Sequence, residues 1–202
     1  MKYRRLGKTG LVVSEIGYGG EWLAGKTAGQ AKQLADRCMT HGINIVDCWM
    51  SDPEVRSNLG GSLRGRRDKW IIQGHIGSTW QEGQYVRSRE LKYAVPAFED
   101  LLRRLQTDYI DLGMIHYVDE QAEWDRLQDS PFIEYVRRLK EEGKILHIGL
   151  STHNPVIGKQ AVLSGLIEMI LFSVNPIFDM LPPSENIEDC FADRFDSTLG
   201  GI

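Results

Sequence analysis

The chain has 202 residues, an ordinary mix of apolar and charged side chains, and a formal net charge of -4. That length suits one domain with a substantial buried core, and the charge excludes a broad basic surface for nucleic acid. No stretch approaches a membrane-spanning length and the amino terminus lacks the apolar core of a signal peptide, so the expected compartment is the cytoplasm. Cys38, Cys48 and Cys190 form an odd set without a close pair, which points away from a disulfide framework or a cysteine metal site.

Strand-like runs fall at 15–20, 43–48, 70–75, 109–116, 145–151 and 169–175, with helix-like stretches between most of them. The first helix, over 28–41, ends in His41-Gly42, where glycine can take the left-handed cap conformation. Ser51-Asp52-Pro53 opens the next helix, which runs to Leu63, with an N-cap pair and a proline in the first turn. Apolar spacing from Ser88 to Leu105 is helical, but Pro96 lies inside it and predicts a bend or a start later than Ser88. Ser130-Pro131 starts a helix that Gly143 stops. Strand-to-helix alternation with short connections predicts parallel strands covered by helices. Gly17-Tyr18-Gly19-Gly20 lacks the glycine spacing of a dinucleotide fingerprint, so a (β/α) TIM-type barrel is favoured over an open doubly wound sheet.

Three of the strand-like runs end on groups that bind or move protons: Asp47, His75 and His116. In a parallel barrel the carboxyl ends of the strands share one face, which brings an acid and two imidazoles together where such folds carry chemistry. By themselves the three could also ligate a divalent metal at the barrel mouth. Cys48 follows Asp47 and points to the opposite side of the strand, toward the core. Asp52 is read as a helix cap, and Tyr18, Tyr85 and Tyr117 are candidate phenols, with residues 80–85 in a loop able to cover the mouth.

Several segments together resemble the aldo-keto reductases. Residues 2–14 resemble the family's amino-terminal hairpin, which plugs the bottom of the barrel, and Glu15-Ile16-Gly17-Tyr18-Gly19-Gly20 resembles the first strand. Asn44-Ile45-Val46-Asp47 is similar to the strand bearing the catalytic aspartate. Residues 64–69 are similar to the link before the third strand, residues 107–116 to the fourth strand with its histidine, and residues 143–151 to the fifth. The resemblance runs to about residue 180. It implies a carbonyl or alcohol substrate, NADP(H) as cofactor, and catalysis by an aspartate, tyrosine, lysine and histidine.

Asp47 and His116 match that set, whereas the tyrosine position holds Asp52 and the lysine position holds His75. His75 is therefore expected to be the proton donor, with Asp47 supporting its charge and His116 orienting the oxygen. Gly20, Glu21 and Trp22 in the first loop and Ser151 with Thr152 after the fifth strand are the implied cofactor contacts, while Leu171 replaces a family glutamine. Residues 1–202 are read as a single incomplete barrel domain of about six of the eight βα units, lacking the carboxyl-terminal ones. The chain is then either a fragment or one that completes itself by self-association through open strand edges. The alternative function is a barrel that has lost turnover and serves as a cofactor-binding or scaffold protein.

Overall fold

An antiparallel hairpin of β1 (Tyr3–Arg5) and β2 (Val12–Ser14) comes first, in a computed structural model that describes residues 1–174. It closes the amino-terminal end of the main sheet. The Asn44 side chain accepts from the Ser14 amide and donates to the Val12 carbonyl, and the Tyr3 hydroxyl donates to the Gly42 carbonyl. All of these contacts lie just before a barrel strand begins.

The main sheet has six strands, all parallel: β3 (Tyr18–Gly19), β4 (Ile45–Cys48), β5 (Ile71–Ile76), β8 (Ile110–Ile115), β9 (Ile145–Thr152) and β10 (Met169–Phe172). They neighbour one another in chain order, as the successive turns of an incomplete barrel do. Residues 175–178, expected to close the sixth strand, and Cys190 lie outside the described residues. Among the described residues six α-helices pack with this sheet: α1 (Ala28–Thr40), α2 (Pro53–Leu63), α3 (Leu91–Leu105), α4 (Gln121–Leu127), α5 (Pro131–Glu141) and α6 (Pro155–Leu163).

Local chemistry sets these helix ends. Thr27 and Gln30 form a capping box at α1, Gly42 at φ +78° ends it, and α2, α5 and α6 each pair a side-chain cap (Asp52, Ser130, Asn154) with a following proline. Pro96 sits within α3, which begins at Leu91, the later of the two starts its sequence allows. The helix tolerates the missing N–H because the apolar face of Phe98, Leu101, Leu102 and Leu105 is buried against the sheet and its neighbours.

Side chains alternate across the strands. Val46, Ile72, Ile115, Ile148 and Leu150 enter the core beneath the helices. The other parity points into the concave face, where the register sets Asp47, Gln73, Leu112 and His147 on adjacent strands in one layer. His75, Met114 and Gly149 form the layer above.

Between β5 and α3 the chain forms a second hairpin, β6 (Ser78–Gln81) and β7 (Gln84–Arg87), joined by Glu82 and Gly83, both at positive φ. This two-residue turn matches the twist of the strands and converts the expected loop into an ordered flap at the carboxyl ends of the barrel strands. Arg87 and Arg89 fasten it. Both donate to the Tyr117 carbonyl and pair with Glu123, and Arg89 also donates to the carbonyl of His116.

Candidate active site

Asp47 ends on β4, His75 lies on β5, and His116 follows β8, so three adjacent strands deliver them to one place. Their side chains form a line. His75 Nε2 is 3.1 Å from Asp47 Oδ1, His75 Nδ1 is 2.8 Å from His116 Nδ1, and His116 Nε2 is 2.6 Å from the Tyr85 hydroxyl. Gln73 Nε2 donates to the same Asp47 oxygen at 2.8 Å.

The contacts fix the tautomers. The Asp47 carboxylate accepts, so His75 carries its proton on Nε2 and offers a bare Nδ1. His116 must then donate from Nδ1, which leaves its Nε2 to accept from the Tyr85 O–H. In this arrangement donation runs in one direction along the line, from Tyr85 to Asp47. Because the nitrogens bond to one another, the three side chains do not converge on a common point as metal ligands would. Among the described residues no cluster of His, Cys, Asp and Glu has metal-binding geometry.

Burial sharpens the arrangement. His75 is 2 % exposed and His116 is 4 % exposed, with Trp49 stacked at 5.9 Å on the His116 ring. Burial, with His75, Arg89, Arg87 and His153 nearby, holds the His116 imidazole well below its ordinary pKa. Burial and the adjacent Tyr117 push the Tyr85 phenol upward, so it keeps its proton at neutral pH.

The depressed imidazole has a consequence for stability. Unfolded His116 takes up a proton near its ordinary value of 6.5, while the folded group does so only at lower pH, so folding stability is full above that value and falls as the solution is acidified. Unfolding free energies from urea titrations at pH 7 and below are expected to drop, by up to about 1.4 kcal/mol per pH unit for one proton. His116→Gln should flatten that slope, and an unchanged slope would mean that this ring is not held neutral.

The remaining expected positions divide. Ser151 lies one residue beyond the Ile115–Leu150 register pair, level with His116, and its hydroxyl has no hydrogen-bond partner among the described residues. The Thr152 hydroxyl is buried and committed, donating to the Val118 carbonyl and contacting Asp119. Gly20 is a close-approach site, where a Cβ would lie 2.7 Å from the Asp47 carbonyl oxygen. Glu21 accepts from the Trp49 indole, and Trp22 is 77 % exposed on the first loop. Asp52 accepts from the amides of Glu54 and Val55 as a helix cap. Tyr18 packs beneath the helices against Trp70, with burial raising its hydroxyl to about 12.

Tyr85, Trp49 and Gln73 complete the cluster beyond the three strand-end residues. Gln73 was available from strand parity, two residues before His75. Tyr85 is one of the candidate phenols of the expected mouth loop, and the hairpin across Glu82-Gly83, a turn without the usual Asn-Gly or Asp-Gly, is what brings it to His116.

Comparison with known proteins agrees with this architecture. The family model for the Aldo/keto reductase family matches residues 15–191. An uncharacterized oxidoreductase, YqkF, of Bacillus subtilis is 30% identical over 186 residues, covering 90% of this chain and 58% of that protein. The L-glyceraldehyde 3-phosphate reductase of Escherichia coli K12 is 25% identical over 166 residues, covering 77% and 46%. Among solved structures, the holo form of aldo-keto reductase AKR11C1 from Bacillus halodurans superposes with a TM-score of 0.73 at 30% identity, over 86% of this chain and 58% of that one. The chain thus spans about half the length of the curated relatives it matches. Over most of its own length it carries their strand order and their sequence pattern, and it belongs to the aldo/keto reductase family.

Proposed function

We propose that the protein is an NAD(P)H-dependent oxidoreductase that interconverts a carbonyl and an alcohol, with Asp47, His75 and His116 as its proton-handling group. The observation that carries this reading is the continuous hydrogen-bonded line of these three side chains at the carboxyl ends of parallel strands. One relative is named for reducing L-glyceraldehyde 3-phosphate, an aldehyde, which supports the substrate class.

The residues fit the cofactor in part. Ser151, beside His116 with an uncommitted hydroxyl, would hold the nicotinamide carboxamide, and the exposed Trp22 would border the cleft. Thr152 does not fit that task, because Val118 and Asp119 occupy its hydroxyl. A bound nicotinamide supplies or accepts the hydride. The protein's part is to deliver or remove the accompanying proton and to keep water from the buried imidazoles. NADPH as the preferred form and a cytoplasmic setting belong to the same reading. No helix among the described residues is long and apolar enough to cross a membrane.

Titration of the protein with NADPH and NADH, followed by a panel of aldehydes and ketones, tests this reading. Saturable quenching of the reduced cofactor's fluorescence and its oxidation by at least one carbonyl are the expected results. Absence of both overturns the reading, and binding without any turnover would assign the chain to the cofactor-binding alternative.

A further inference from the structure

We propose that Tyr85, delivered by the β6–β7 hairpin, is the group that exchanges a proton directly with the substrate oxygen, and that His116 and His75 relay this proton to and from Asp47. The proposal rests on the oxidoreductase reading above. It assigns the catalytic acid to a different element from the helix cap at Asp52, where the family resemblance places the tyrosine.

The argument starts from access. His75 and His116 are buried, and each ring nitrogen in the line already has a partner. A substrate can therefore meet the line only at its two ends. One end is Asp47, whose side chain is 27% exposed, and the other is the half-buried Tyr85. A carbonyl oxygen undergoing reduction needs a donor, and the Asp47 carboxylate, which accepts from both His75 and Gln73, is not one. The phenol is. It also stands beside Trp49 and His116, at the strand ends where the fold places its chemistry.

The line also solves a difficulty that the phenol creates. Burial raises its pKa, so Tyr85 loses its proton only when another is gained or when a base takes it in the same step. His116 Nε2 is that base. In alcohol oxidation the substrate O–H breaks as its proton moves to the Tyr85 oxygen, and the Tyr85 proton passes to His116 Nε2. His116 then gives its Nδ1 proton to His75 Nδ1, and His75 gives its Nε2 proton to Asp47. The carbinol hydrogen leaves with its electron pair as the hydride of the proposed reaction, and the relayed proton rests on Asp47, facing the bare His75 Nε2. No imidazolium accumulates, in keeping with the suppressed basicity of His116. Afterwards both rings hold the opposite tautomer, the polarity that delivers a proton outward for carbonyl reduction.

Three measurements on the intact protein test the assignment. In the wild type, nitrogen chemical shifts are expected to report a neutral His116 with its proton on Nδ1 and a bare Nε2, and a neutral His75 with its proton on Nε2. Tyr85→Phe, which removes only the hydroxyl, should lower kcat for the best carbonyl of the panel about 100-fold. NADPH quenching should be unchanged and the His116 Nε2 shift should move. Tyr117→Phe supplies the comparison with the other phenol at the mouth. Turnover that survives Tyr85→Phe, or that is lost with Tyr117→Phe instead, overturns the proposal and leaves the oxidoreductase reading standing. A doubly protonated, charged His116 in the wild type also overturns it. A wild type that neither binds nor oxidises reduced nicotinamide fails the underlying reading, and the proposal falls with it.

Discussion

Asp47→Asn is expected to reduce kcat by about three orders of magnitude while leaving the fold intact. Asn is nearly isosteric, so the strand pairing survives. What changes is the sink for the proton. In the proposed relay the carboxylate both orients the His75 tautomer and accepts the proton that the line carries, and an amide does the second not at all. A neutral amide can also present its NH2 group to His75 Nε2, which reverses the tautomers back to Tyr85. The result to look for is a large loss in kcat with little change in cofactor binding, together with unchanged circular dichroism. Turnover within a few fold of wild type would show that Asp47 takes no part in proton movement.

Gly60→Val should be the most damaging single change to stability. Gly60 lies on α2 where it crosses α3, and a Cβ there would sit 2.0 Å from the Arg104 carbonyl oxygen and 2.8 Å from Leu105 Cα. Both are backbone atoms, so no side-chain rotation relieves the clash. The two helices would have to separate, which opens the layer containing Leu59, Leu101 and Leu105. Overpacking of this kind costs about 3 kcal/mol or more, a large share of the stability of an ordinary domain. With a urea m-value of about 2 kcal/mol/M, the midpoint should fall by about 1.5 M or the chain should fail to accumulate. Gly61, where a Cβ meets nothing within 4 Å, is the matched control.

The parallel architecture was legible because it is written in local signals. Asp-Pro, Ser-Pro and His-Gly mark helix ends by capping and by backbone conformation, and the apolar runs end on polar groups where strands leave the core. Asp52 could be read as a cap from its proline neighbour alone. The gathering of Asp47, His75 and His116 followed from strand ends sharing a face. Their order along a line did not, since the contact between two Nδ1 atoms depends on ring orientations set by Trp49 and Tyr85. The committed hydroxyl of Thr152 was equally hidden, because its partners Val118 and Asp119 come from another loop. So was Arg56, an arginine in the middle of a helix that is buried and donates to the carbonyls of Met50, Ser78 and Ala97. Sequence periodicity shows which face a residue occupies, whereas nearly all of these contacts join segments more than twenty residues apart.

The hairpin that carries Tyr85 forms a two-stranded sheet of its own, distinct from the six-stranded one. Arg87, Arg89 and the Ser88 amide hold it to the barrel at its base. The phenol is therefore mounted on a separable part, like a tool in an interchangeable holder. Its reach is set by the turn at Glu82-Gly83 and by the two arginines at its base. In such a chain the proposed acid and the barrel strands are carried by separate elements. The imidazoles, rooted in the strands themselves, stay tied to the history of the fold.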